Sequence, residues 1–453
     1  MNKKRWALLI LVILLIVGYY KLFYKRWSNE AVVKNADCII ALDVKRITNT
    51  LIWNFITTPS QWKNSDLFSS SDDDKVSWDD MIALPDYVFV FHKTGQPDNA
   101  FYTVVQVNDE EDFEKGLKQF HFEKTTAGSY VSKEAGIELI QSGNKLLLGN
   151  AAVEDKKYMQ QVADELFNKK EFIAEDLLKG YTSTNNHLSA MVPFNQNSFS
   201  GNGSIFFIGN FDKNSITFSA SLQPKFGINL TTNQFKYSDS SLCSVGCTQP
   251  WPDVRKLLPD SSWSNISKAV NFNIDSLLLQ SNHCYQLDVA GIYPRIDSAI
   301  SYTYDNDFNP IEKVVVNKVE EPAFNFMVHG DSVSNIYSYW NNSGKIEKVG
   351  DSNLFTPVPF VKSCCKIKND NTLAVTSGNY TTTAANKLID CIFFAKLLLT
   401  KMPSSLLHYF PADILKVLKN IESAAATITN EKGQIILLLR FNKKKNDLPL
   451  IEL

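Results

Sequence analysis

Histidine is scarce in this 453-residue chain, and its pattern excludes the commonest zinc chemistry. The six (His92, His121, His187, His283, His329 and His408) contain no pair four apart and no His-Glu-x-x-His. That helical spacing is what sets two imidazoles on one face for a metal. Also missing are a Gly-x-Ser-x-Gly elbow, a Gly-Lys-Ser/Thr phosphate loop and a Gly-x-Gly-x-x-Gly fingerprint, which removes the readable signs of a serine hydrolase, a nucleotide phosphatase or a dinucleotide enzyme. Charge of one sign is absent too. With 46 Lys+Arg against 48 Asp+Glu the net charge is −2, so no global field draws nucleic acid, and none is expected as a partner. Lys443-Lys444-Lys445 is a short solvated cluster.

Cysteine is sparse and irregularly spaced. Seven residues (38, 243, 247, 284, 364, 365 and 391) do not make a disulfide-built scaffold. Cys243 and Cys247 form the one candidate disulfide, closing a small loop in an oxidising compartment. Cys38 and Cys391 lie in apolar runs and read as small core residues. His283-Cys284 with Cys243, Cys247 and Cys364-Cys365 lacks the two-residue knuckles of structural zinc, so neither a metal nor a cofactor is expected.

Long apolar runs are missing with one exception. Trp6 to Tyr20 is unbroken over 15 residues, and Leu22-Phe23-Tyr24 continues it past Lys21. At 1.5 Å per residue, roughly 19 helical residues reach about 28 Å, close to a hydrocarbon core of about 30 Å. Residues 6–24 are therefore expected to be a transmembrane signal anchor, with Trp6, Leu8, Leu15 and Tyr20 in or bordering lipid and Lys21 lifting its ammonium to the headgroups. The basic head Lys3-Lys4-Arg5 suits a signal peptide, but no small-x-small cleavage site follows, and the first cysteine, Cys38, is too distant for lipidation. Basic residues on both flanks nearly balance. Since long following domains translocate regardless of charge, the expected arrangement is residues 1–5 in the cytoplasm, 25–36 as a juxtamembrane linker, and the bulk outside it, in the periplasm. The lipid bilayer is the first expected partner, other envelope proteins the second.

What is present is globular. Hydrophobic residues make up 44% and charged residues 21%, the proportions of folded domains. The expected fold class is α+β: after the transmembrane helix, two related modules of antiparallel sheet with helices packed on one face, at 37–222 and 264–441. A Ser/Asn/Pro-rich connector (223–263) joins them, and a polar tail (442–453) closes the chain. The pairing rests on a recurring order of period-2 and period-3.6 patterns. Asp37–Asp43 running into helix 44–56 matches Lys268–Asp275 running into Ser276–Gln280. Phe101–Val107 with helix 112–120 matches Phe324–His329 with helix 332–340. Hairpin 136–148 matches 365–375, and hairpin 204–220 matches 423–439. The offsets run from 219 to 232. Helices are expected at 153–167 and 171–178, and again at 384–401 and 411–420.

Two acidic stretches need a reading. Asp305-Asn306-Asp307-Phe308-Asn309 opens like a calcium loop, but Pro310 stands where that loop needs Gly and Val316 where it needs Glu; a hairpin turn between strands at 300–304 and 311–316 fits better. Asp66–Asp80 reads as a solvated loop. Ile389–Leu399 is very apolar and reads as a buried core helix. In its basic head, apolar span and strand-to-helix opening at Cys38–Ile56, the chain resembles uncharacterised single-span bacterial cell-envelope proteins with duplicated α+β modules. The resemblance implies location and architecture, and no functional residues. The expectation is a membrane-anchored extracytoplasmic protein with a non-enzymatic structural or interaction role in the envelope. The alternative is a binding or carrier module for an apolar, lipid-like ligand; a hydrolase with no readable motif ranks third.

Overall fold

The computed structural model describes residues 24–57, 76–125, 128–134, 136–150, 157–193, 204–222, 231–249, 260, 263–264, 284–331, 333–358, 361–381, 386–407, 415 and 417–444. Of these, 52% are strand and 22% helix, and the chain divides into two units, Met1–Lys225 with Lys445–Leu453, and Phe226–Lys444. This corrects the expected fold class, because antiparallel sheet dominates. Among the described residues no helix is long and apolar enough to cross a membrane, so the expected transmembrane helix is not found among them. The run from Trp6 to Phe23 itself lies outside the described residues.

The first unit is built on one antiparallel sheet. Its strands are β1 (Ala36–Asp43), β2 (Ile82–Ala83), β3 (Tyr87–Lys93), β4 (Phe101–Val107), β5 (Glu123–Lys124), β6 (Tyr130–Ser132), β7 (Ile137–Ser142), β8 (Lys145–Asn150), β9 (Leu188–Pro193), β10 (Ser204–Phe211) and β11 (Ser215–Leu222). Read across the sheet the order is β11-β10-β9-β1-β3-β4-β8-β7-β6-β5, with β2 pairing beside β3 along the same edge of β4. Both faces are covered, against the expectation of helices on one face. Alternation along β4 sends Tyr102 and Val104 one way and Val105 the other. The first face packs on Met159, Val162 and Leu166 and on Leu178 and Tyr181. These come from α3 (Lys157–Ala163), its π-helical continuation to Lys169, and α4 (Glu175–Thr182). The opposite face packs on Phe113 and Leu117 of α2 (Glu110–Gln119). Asp109 caps α2 by accepting from the N–H groups of Glu111 and Asp112, and three acids fill the first turn, where the helix dipole favours negative charge.

The second unit contains β12 (Asn233–Ser238), β13 (Cys243–Cys247), β14 (Cys284–Tyr304), β15 (Pro310–His329), β16 (Ile346–Val349), β17 (Ser352–Phe355), β18 (Ser363–Asn369), β19 (Thr372–Ser377), β20 (Asn386–Cys391), β21 (Phe393–Leu398), β22 (Ile421–Glu431) and β23 (Gln434–Lys443). Its main sheet runs β23-β22-β21-β13-β14-β15-β19-β18-β17-β16, and β12 pairs separately with β20. Position for position, this is the strand order of the first unit. Helix α5 (Val333–Asn342) stands between β15 and β16, as α2 stands between β4 and β5. It buries Val333, Ile336 and Trp340 against Val328, Leu373 and Val375, with Trp340 against Phe355 at 5.2 Å.

Three sequence expectations change here. The place of β1 in the repeat is taken by Cys243–Cys247, which the sequence assigned to the connector; Lys268–Asp275 lies outside the described residues. Where the sequence predicts a helix over 384–401, its apolar segment at 389–399 included, the described residues form strands β20 and β21, closed by a 3-10 turn at Leu399–Lys401, with Cys391 and Phe394 buried. Short apolar runs carry no period that separates a buried strand from a buried helix, and paired Phe and Ile favour the pleated surface. The helix expected over 171–178 begins four residues later, at Glu175.

Candidate functional site

The distinctive chemistry of the first unit gathers where β1 turns into α1 (Val44–Thr57). Asp43 ends β1 almost fully buried, and its Oδ1 accepts the N–H of Arg46 at 2.8 Å, closing the first turn of the helix. Lys25 forms an ion pair with the same carboxylate. The Asp43 N–H in turn donates to the carbonyl of His187 at 2.9 Å. The buried Asp43 oxygens are thus partnered by a lysine ammonium and by an N–H of the first helical turn.

Helix α1 is inverted relative to an ordinary surface helix. Its one buried residue is Asn54, whereas Trp53 is 66% and Ile56 60% exposed, with Ile52 and Phe55 also exposed. Beside it lies a cleft of about 800 Å³, mostly apolar, formed by Ile52, Trp53 and Ile56 with Phe211 of β10. Thr50, Asn185 and His187 are among its polar lining residues, and the charged ones are Lys25, Arg46 and Lys213 against Asp212. His187 is buried; its Nδ1 accepts the Phe211 N–H at 3.2 Å and its Nε2 lies 2.8 Å from Thr50 Oγ1. The backbone donor on Nδ1 places the ring proton on Nε2, which donates to Thr50. Burial, reinforced by the Arg46 cation, holds its pKa below the ordinary histidine value. The ring is thus a neutral structural strut.

A second hollow, of about 660 Å³, lies in the second unit and is lined by polar side chains with Cys284 and His329. These two are register partners across β14 and β15. Cys284 Sγ accepts from Asn233 Nδ2 at 3.3 Å, and His329 Nδ1 pairs with Thr372 Oγ1 at 3.2 Å. Burial pushes the Cys284 thiol up to about 11 and lowers His329. Both shifts oppose the thiolate–imidazolium pair that activates a cysteine nucleophile.

The residues singled out by sequence fall as follows. Trp6, Leu8, Leu15, Tyr20 and Lys21 lie outside the described residues, as does His283. Cys243 and Cys247 are both free thiols on one extended strand. Four residues of strand separate their Cα atoms by about 13 Å, well beyond the roughly 7 Å that a disulfide spans; the strand does not bring them together. Cys365 is buried and its neighbour Cys364 only half-buried, as alternation requires. Asp305 sits in the β14–β15 turn, its Oδ1 accepting the N–H groups of Asp307 and Asn309 at 2.9 and 2.8 Å. Among the described residues no cluster of three His, Cys, Asp or Glu side chains has metal-binding geometry. The α1 cleft was not singled out by sequence, although a signal was there: Ile47, Leu51, Ile52, Trp53, Phe55 and Ile56 occupy too much of the helix circumference for a single buried stripe.

No family model and no curated protein matches the chain. Among solved structures, crystal form III of TP0453 is similar at 10% identity over 53% of this chain and 85% of that one, with a TM-score of 0.27. Crystal form I of TP0453 is similar at 14% identity over 46% and 82%, also with a TM-score of 0.27. Likeness at that level carries no argument about fold or function.

Proposed function

We propose that this chain is a non-enzymatic binding protein of the cell envelope whose first unit holds an apolar, lipid-like ligand in the cleft beside α1. The observation that carries the reading is a helix presenting Trp53, Ile52 and Ile56 to solvent over a cleft of about 800 Å³, within the range of about 300–1,000 Å³ typical of small-molecule sites. A scaffold gains nothing from leaving such a face open, since each exposed large apolar side chain forgoes roughly 1.5–3 kcal/mol of burial. With Lys25 held by Asp43, the lining still sets Arg46 and Lys213 against Asp212, a balance that favours a ligand with an anionic head. The proposed location rests on the basic head and the apolar Trp6–Tyr20 run of the sequence alone.

The test uses delipidated full-length chain titrated with N-phenyl-1-naphthylamine, a dye that fluoresces in apolar surroundings, followed by displacement with palmitate. Saturable binding that palmitate competes away, and that weakens at least tenfold in Ile56→Asp, supports the reading. Binding that never saturates, or that Ile56→Asp leaves unchanged, refutes it. Membrane fractionation tests the location separately: the chain should pellet with membranes and resist high-salt extraction.

A further inference from the structure

Strands β14 and β15 are far longer than any others, with 21 and 20 residues. Only their inner ends belong to the sheet. β13 pairs with β14 as far as Val289, and β19 pairs with β15 from Asn325 onward. Past the bulge between Val289 and Gly291, the two strands pair with each other for fourteen further rows, from Gly291↔Ala323 to Tyr304↔Pro310. At about 3.4 Å per residue the ribbon is roughly 45 Å long. A two-stranded ribbon is marginal by itself in water, so this length calls for a partner.

The ribbon is two-faced. Directly opposed residues share a face, and one face carries Ile296, Ile300, Tyr302 and Tyr304 from β14 with Val314 and Val316 from β15, all more than half exposed; Ile296 reaches 74%. The other face is mixed: Arg295, Asp297, Ser301 and Thr303 with Lys313 and Asn317 alternate there with Tyr293, Ala299, Ile311, Val315 and Val319, so no continuous apolar band forms on it. Two charges interrupt the apolar face, Lys318 opposite Ile296 and Glu312 opposite Tyr302, and the Tyr302 hydroxyl donates to Glu312 at 3.4 Å.

We propose that this face is the docking surface for the same face of a second copy of the chain. Laying one ribbon antiparallel on another, about a two-fold axis between rows 298 and 300, puts β14 over β14 and β15 over β15. Lys318 of each copy then meets Glu312 of the other, and Ile296 meets Tyr302. The row spacing thus turns the Lys318 and Glu312 charges of this face into two complementary pairs across the axis, and sets Glu320, opposite Pro294, at the outer edge over the Tyr304 row of the other copy. Six apolar side chains at on the order of 100 Å² each, with the flanking prolines and the stems of Lys318 and Glu312, approach the roughly 800 Å² per partner of a stable interface. A lipid bilayer is the poorer occupant. Asp305 and Asp307 lead at the tip, and the apolar band between Glu312 and Lys318 is about 20 Å along the strand, short of the roughly 25 Å lipid-facing band of a spanning strand, whose tilt shortens it further.

Sedimentation velocity of the full-length chain in one mild detergent, over a concentration series, tests this. The wild type should dimerise reversibly. Ile300→Asp, Glu312→Lys and Lys318→Glu should each weaken the dimer tenfold or more, with thermal midpoints unchanged because the side chains are exposed. The double reversal, Glu312→Lys with Lys318→Glu, should restore it to within about threefold. A chain monomeric at every concentration overturns the proposal, as does a dimer indifferent to these variants. Variants that release the chain from phosphatidylcholine–phosphatidylglycerol vesicles while leaving the dimer intact would assign the face to lipid instead, and also overturn it.

Discussion

Three histidines each give the protein a pH sensitivity of definite sign, and the signs differ. Burial, with the Arg46 cation, lowers the His187 pKa, so the unfolded chain takes up a proton at a higher pH than the folded one. The stability it contributes is therefore complete above the unfolded value of about 6.5 and is lost as pH falls from there toward the depressed folded value. His329 acts in the same direction. His92 acts in the opposite one. Although burial is its largest influence and pulls downward, the hydrogen bond and charge of Asp37 and two backbone carbonyls raise its pKa on balance. Its contribution is present below about 6.5 and lost as pH climbs through the raised value. Thermal midpoints measured from pH 7.5 to 5.5 should fall less steeply in His187→Gln than in the wild type; an unchanged slope would show that the ring is not held neutral. Gly246 makes a second residue-scale case. A Cβ there would lie 2.3 Å from Phe394 Cε1 and 2.7 Å from Phe235 Cδ1. Gly246→Ala is expected to cost about 1–3 kcal/mol by overpacking, read from urea denaturation.

Two helices of apolar sequence play opposite parts. Helix α5 buries Trp340 completely, and Trp340→Ala should cost about 3–5 kcal/mol. Helix α1 turns Trp53 and Ile56 outward, so Ile56→Asp should change stability by no more than about 0.5 kcal/mol. Denaturant curves of the two variants check the contrast; a large loss from Ile56→Asp would mean that the α1 face is packed. The sequence made part of this legible. Alternation marked β4, β7, β8, β10, β11, β22 and β23, and polar turns such as Glu431-Lys432-Gly433 marked their reversals: Lys432 and Gly433 both take positive φ, as a tight hairpin needs. It could not show that β20 and β21 are strands, because Leu388-Ile389-Asp390-Cys391-Ile392-Phe393-Phe394 carries a single polar residue, too few to fix a period of two against one of 3.6. Nor could it show the α1 cleft, since an apolar helix reads as core until its neighbours are known.

At the scale of the whole molecule, two units repeat one ten-strand order, and among the described residues each shows a feature not seen in the other. The first opens a cleft beside an outward-facing apolar helix. The second extends the hairpin that stands in the place of β3 and β4 into a ribbon of fourteen further rows. Departures of this kind from a shared strand order are where function is carried, because the shared part is already explained by packing. The account therefore stands or falls on whether an acyl chain reaches Trp53. Palmitate carrying bromine on its chain quenches a tryptophan it touches. Titrated into delipidated full-length chain, it should quench a saturable fraction of the fluorescence, and Trp53→Phe should abolish that fraction while the other seven tryptophans remain unquenched. Equal quenching in wild type and Trp53→Phe, or none in either, would contradict it.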